Sequence, residues 1–254
     1  MKPEQLLYKY YSYDEYLLET LITKKAWFSK PESFNNPFDC HLNFDYTIPP
    51  DKYEKCLRWQ LKHEGRSEDQ IENDIRKLIS QNGIVNNDAK QIIDNIATST
   101  LEVIRNIGVY CLSEVNTNMT MWSHYTGNHS GLCLGILICE DIFAEKVSYV
   151  PEAHKVNFSE LLDDGPTQND YKWIFSKHHD WLNEKEWRIV VREGNQLLPL
   201  PGQIKTVTFG LRMDNMKRRI IQEILKDETN VQYFEMIENP KLLQLNVKRI
   251  EMIT

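Results

Sequence analysis

No stretch of this 254-residue sequence stays apolar for the roughly 20 residues that a membrane-crossing helix needs. The best candidate, Gly131 to Cys139, is far shorter. An apolar core after the N-terminal charge is also missing, so Met1-Lys2-Pro3-Glu4-Gln5 does not read as a secretory leader. Positive charge is in deficit: 30 Lys and Arg face 37 Asp and Glu, a net charge of −7, which excludes the basic stripe of a nucleic-acid binder. The adjacent Lys217, Arg218 and Arg219 read as a solvated helix face. Cysteine is sparse and odd in number, at positions 40, 56, 111, 133 and 139, with no Cys-x-x-Cys. That excludes a disulfide framework and points to reduced, mostly buried thiols in the cytoplasm. Internal repeats, low-complexity tracts and heptads are absent too.

What is present is enough apolar side chain, 41% of residues, to bury a sizeable core. The pattern predicts one α+β domain over 1–254 whose mixed, largely antiparallel β-sheet, continuous or split, carries flanking helices. Strands are expected at Leu6–Tyr11, Ala26–Ser29, Val109–Ser113, Leu132–Ile138, Trp187–Val191 and Val207–Phe209. Two more close the chain at Val231–Met236 and Leu243–Ile250. Leu132–Ile138 is apolar on both faces and so belongs in a sheet's centre. Asp14 caps a first helix with Tyr16, Leu17 and Leu21 on its apolar face. Asp214 opens another, on which Met216, Ile220, Ile221, Ile224 and Leu225 share a face. Between them, 51–106 reads as an all-helical insertion or cap, with Ser67 and Gln70 forming a capping box.

Three clusters hold more polar and aromatic residues than packing demands. Phe34-Asn35-Asn36-Pro37-Phe38-Asp39 reads as a rigid turn pinned by two phenylalanines, and Asn35 and Asp39 are its candidates for pointing into a cleft. In Met121-Trp122-Ser123-His124-Tyr125-Thr126-Gly127-Asn128-His129-Ser130-Gly131, Trp122 and Tyr125 share a helix face. Together with the histidines they suit a platform for an aromatic ring. His124 and His129 also have a metal-like spacing, yet zinc needs three or four ligands and only Cys133 and His178-His179 are on offer. No metal is expected. In Glu184-Lys185-Glu186-Trp187-Arg188-Ile189-Val190-Val191, strand alternation puts Glu184, Glu186 and Arg188 on one face. They are either an ion pair on a solvated sheet face or two carboxylates of which Arg188 keeps one ionised.

In this order the clusters resemble a bacterial family known as domain of unknown function 2971 (DUF2971). The resemblance begins at Leu7-Tyr8-Lys9-Tyr10 and Trp27-Phe28-Ser29 and takes in all three clusters. It also includes Cys111-Leu112-Ser113-Glu114 and Phe209-Gly210, and departs at Asn36, where Asp is expected. It brings no settled activity. A second resemblance is to ADP-ribosyltransferases, which bind NAD in the cleft of a split sheet. They carry a basic residue on the first strand, a Ser or Tyr on a middle strand and a late catalytic Glu. Glu184-Lys185-Glu186 ahead of a strand is similar to that late motif, with Ser29 or Ser113 as the middle residue. The first strand departs from the pattern: Tyr8 and Tyr10 share its site-facing side while Lys9 points away.

The resemblance implies an NAD-consuming ADP-ribosyltransferase or NAD glycohydrolase-like enzyme, with Glu186 and Glu184 as catalytic carboxylates and His124 beside them. Glu186 would stabilise positive charge on the ribose and Glu184 would orient or deprotonate the acceptor. Trp122, Tyr125 and Tyr10 would frame the ring pocket, with Tyr8, Asn35, Asp39, His129 and Arg188 fixing polar groups. The competing expectation is a non-catalytic nucleotide- or protein-binding module of a toxin or phage-defence operon. A metal-dependent nuclease built on Asp39, His124 and Glu186 is a third.

Overall fold

The computed structural model describes residues 5–41, 43–45, 48–49, 52–157 and 172–251, apart from the side chains of residues 44, 100 and 156. In chain order the strands are β1 (Leu6–Tyr11), β2 (Lys25–Phe28), β3 (Asn43–Asp45), β4 (Gly108–Ser113), β5 (Leu132–Ile138), β6 (Glu145–Lys146) and β7 (Ser148–Val150). They continue with β8 (Lys155–Asn157), β9 (Ser176–His178), β10 (Glu186–Val191), β11 (Gln196–Pro199), β12 (Gly202–Phe209), β13 (Gln232–Asn239) and β14 (Gln244–Ile250). The helices are α1 (Glu15–Thr23), α2 (Tyr53–His63), α3 (Glu68–Leu78), α4 (Asn87–Asn106), α5 (Met119–Tyr125) and α6 (Asn215–Ile224). Among the described residues no helix is long and apolar enough to cross a membrane.

The chain divides into two compact units. The first comprises Met1–Phe34, Ile107–Tyr149 and His179–Thr254, and the second Asn35–Asn106 and Val150–His178. The second unit holds α2, α3 and α4, where the sequence pattern predicted helix. Its core joins Cys56, Leu57 and Leu61 to Ile71, Ile75 and Leu78 and to Ala89, Ile93 and Ile96. The capping box is formed: the Ser67 hydroxyl accepts from the Gln70 amide, and the Gln70 side chain accepts from that of Ser67.

The first unit is built on an eight-stranded open sheet in the order β14-β13-β12-β5-β1-β4-β10-β6. Only β12 and β13 run parallel; every other neighbouring pair is antiparallel. This is the α+β class expected from strands and helices that mix without regular alternation. β5 lies mid-sheet and is buried on both sides, as its unbroken apolar run requires.

Alternation gives this sheet two unlike faces. One is apolar: Leu7, Tyr110, Leu112, Leu134, Ile136, Ile189 and Val207 pack with Leu17 and Leu21 of α1 and with Ile221 beside Leu225. The other carries Tyr8, Tyr10 and Cys133 beneath Met121 and Trp122 of α5. Two helical faces are narrower than expected. Tyr16 is 55% exposed on α1, and Met216 is 66% exposed on α6. A helix lying on a sheet buries one stripe, here Leu17 with Leu21 and Ile221 with Leu225, and apolar residues outside the stripe stay wet.

The sheet narrows to one residue pair between β1 and β4, Tyr8 opposite Ser113, while β1 and β5 share six pairs. Side chains lace this seam instead of backbone. Lys9 Nζ donates to the Cys111 carbonyl at 2.9 Å, and its ammonium lies 4.7 Å from the centre of the Tyr110 ring. The Tyr11 and Tyr110 hydroxyls meet at 3.0 Å. On the opposite face Tyr10 donates to the Val115 carbonyl at 2.8 Å.

Candidate functional site

Register draws one row across the mixed face: Thr206, Gly135, Tyr8, Ser113 and Glu186 are successive cross-strand partners on β12, β5, β1, β4 and β10. Directly opposed residues project from the same side of a sheet. The row needs a glycine at its middle, because a Cβ on Gly135 would collide with the Thr206 hydroxyl and sit 3.2 Å from the Tyr8 ring.

Glu186 opens β10 and is 3% exposed. Its Oε1 accepts from Arg188 Nε at 2.7 Å, and Arg188 is fully buried. The pair is therefore not the solvated surface pair that was one of its two readings. Burying both charges costs several kcal/mol per ion unless they stay together, so each holds the other in place. The Glu186 amide donates to the Tyr149 hydroxyl at 2.8 Å.

Glu184 ends a 3-10 turn spanning His179–Glu184 and is 7% exposed. Tyr125 donates its hydroxyl to Glu184 Oε1 at 2.7 Å, which joins the second cluster to the third. Ser113 donates to the Glu184 carbonyl at 2.6 Å and accepts from the Val115 amide at 3.1 Å. Between the two glutamates Lys185 has φ 46°, a left-handed conformation costing about 1–3 kcal/mol for a side chain with a Cβ. Bonds on both sides fix it: its amide donates to Leu182, and its carbonyl accepts from Glu114 at 3.0 Å.

Helix α5 roofs this face. Asn118 caps it by accepting from the Met121 amide, and its own Nδ2 reaches the Asn183 carbonyl. Trp122 is fully buried, donates Nε1 to Asn116 at 2.7 Å and meets Tyr10 edge-on at 5.4 Å. Glu114, Tyr149 and Asn118 were not singled out as site residues by sequence. Asn118 has a legible signal, a cap three residues ahead of Met121, while Tyr149 meets Glu186 through tertiary structure alone. Glu114 Oε1 accepts from Lys146 at 2.7 Å and from the Trp187 indole at 3.0 Å, and Lys146 above all holds its carboxyl below the usual range.

The remaining candidates lie apart from this network or in the other unit. His124 is exposed on α5, its ring 6.2 Å from Tyr125. Ser29 meets β4 through backbone bonds to Val109. His129 has φ 69° and a buried Nδ1 with no hydrogen-bond partner; burial and then the charge of Arg212 lower its pKa. Asn35 and Asp39 belong to the second unit. There Asn36 Oδ1 accepts from the Phe38 amide, and Asp39 is buried in an ion pair with Lys177 at 3.0 Å. The first cluster is thus a turn held by Asn36 and by the Asp39–Lys177 pair rather than by two phenylalanines, since Phe38 is 73% exposed, and Asn35 is exposed beside it.

Residues 121–189 match the model of the family DUF2971, described as a protein of unknown function. The matched span contains Trp122, Tyr125, Glu184, Glu186 and Arg188, so the DUF2971 match covers most of the network just described. The first cluster lies outside it. No curated protein and no solved structure matches the chain.

Proposed function

We propose that this chain consumes NAD in the manner of an ADP-ribosyltransferase, on the mixed face of its main sheet. One observation carries the reading: Tyr8, Ser113 and Glu186 stand in one register row on three adjoining strands. That is a first-strand, a middle-strand and a late acidic position brought together, with Ser113 rather than Ser29 in the middle. Tyr8 takes the place where the resemblance has a basic residue. In the reaction the bond from ribose C1′ to nicotinamide breaks and its electron pair leaves with nicotinamide. A nucleophile's lone pair closes on C1′, and its proton passes to Glu184. Glu186, held by Arg188, stabilises the positive charge that develops on the ribose. Five cysteines, none of them in a disulfide, fit a reducing, cytoplasmic setting.

The second reading, a non-catalytic binding module, is favoured by the engagement of two row residues within the fold: Ser113 both donates and accepts, and Glu186 is bonded to Arg188. The test is nicotinamide release from labelled NAD by wild type, Glu186→Gln and Glu184→Gln, each checked for folding by thermal melting. Release by wild type and its loss in folded variants supports the enzyme. A wild type that binds NAD or another nucleotide without turnover sinks it in favour of the module.

A further inference from the structure

Helices α1 and α6 run side by side in the same direction. At one end the Lys217 ammonium lies 4.8 Å from the centre of the Tyr13 ring, and at the other Lys24 pairs with Glu228 at 3.0 Å. Outward they leave Ile22 and Met216 66% exposed and Ile220 39% exposed. Tyr16 and Trp27, both exposed with ring centres 6.5 Å apart, carry the apolar surface onto β2. Single exposed apolar residues need no account, but five on two touching helices and the adjoining strand form a patch of the kind that marks an interaction surface. The charges say what fits it. Glu15 and Glu19 are exposed on α1, which has no basic residue, while α6 carries Lys217, Arg218 and Arg219 against Glu223. Lys217 lies over Tyr13 and Arg218 pairs with Glu235, whereas Arg219 is exposed. A face acidic on one half and basic on the other is complementary to itself. We infer that a second copy of this chain docks here, rotated by a half-turn about an axis parallel to the two helices. That rotation lays α1 of each copy over α6 of the other in the same direction, so that every contact occurs twice. The end contacts set Glu15 level with Arg219. Glu15 and Glu19 of one copy therefore meet Arg219 of the other at the rim, around Ile22, Met216 and Ile220. Helices of nine and ten residues are only about 14–15 Å long and cover much less than the roughly 800 Å² per partner of a standard interface. The dimer is accordingly reversible and set by concentration.

Sedimentation of the full chain from the micromolar to the millimolar range tests this. Wild type should shift from monomer to dimer as concentration rises. Met216→Asp with Ile220→Asp should raise the dissociation constant about tenfold or more with the melting temperature unchanged. Arg219→Glu should weaken the dimer several-fold, as should Glu15→Arg with Glu19→Arg, and all three substitutions in one chain should return it to near wild type. Wild type that stays monomeric into the millimolar range overturns the inference, whether or not the patch then retains another protein from a lysate. A dimer indifferent to Met216→Asp with Ile220→Asp overturns the surface. A dimer that those changes break but that the combined charge exchange does not restore overturns the half-turn arrangement.

Discussion

The two faces of the main sheet are built from the same strands and obey different rules. On the apolar face, Leu7 stands opposite Ile136 and Leu134 opposite Val207, and all four are completely buried. Burial of each such side chain contributes about 1.5–3 kcal/mol and needs no partner geometry. One residue along each strand, the mixed face buries Glu186, Arg188 and Ser113 equally deeply. Polar groups buried this way are stable only while bonded, and an apolar replacement would serve stability as well or better. A face that stays polar under complete burial is therefore what a stability argument alone does not produce. That contrast is the physical ground for reading it as the working side.

The largest expected effect breaks the comparison from the polar side. Glu186→Ala removes the carboxylate paired with the buried Arg188 guanidinium and should cost about 3–5 kcal/mol in urea denaturation. Replacing both, Glu186→Met with Arg188→Met, should recover most of that loss or exceed wild type, while nicotinamide release disappears. A double variant as unstable as the single one would mean that the pair serves the fold. Next in size, Leu134→Ala on the apolar face should cost about 2–5 kcal/mol by opening a cavity. Because it does not touch the row, NAD affinity of the folded fraction should be unchanged.

The apolar face was legible in sequence because burial leaves a period: Leu132–Ile138 reads as central, and Ser67 with Gln70 announces its capping box. The pairing of Glu186 with Arg188 on one face was legible for the same reason, as two residues two apart on a strand. Glu184 was placed on that face by alternation, but it ends a 3-10 turn and reaches the network through Tyr125 and Ser113. No local pattern shows that Tyr125 meets Glu184 across 59 positions, or that β1 and β4 touch at one pair. Those contacts follow from strand order, which single-sequence periodicity does not contain. The exposure of Met216 was missed because apolar character does not say which stripe of a helix lies on the sheet.

A smaller effect sharpens the comparison where the faces share a seam. Tyr11→Phe deletes one hydroxyl from the lacing between β1 and β4 and leaves the Tyr110 hydroxyl buried without that partner. The net loss should be about 0.5–1.5 kcal/mol. Amide hydrogen exchange should quicken at the seam, in β1 and β4, and leave β12 and β13 at their wild-type rates. Uniform quickening would show that the seam is not a weak line.

The smallest effect follows from the same two phenols under alkali. Burial, the largest cause for both, raises the pKa of Tyr11 and of Tyr110 above the ordinary value of 10.0. In the unfolded chain both ionise near pH 10, while the folded protein keeps them neutral. The unfolded state then binds fewer protons, so stability falls as pH rises past 10 and is fully present below it. Phenolate absorbance during a pH jump gives the check. Tyr11 and Tyr110 should ionise only as fast as the sheet opens. Immediate ionisation of all twelve tyrosines would show that the seam admits hydroxide in the native state, and the apolar face would then be less tightly closed than its packing implies.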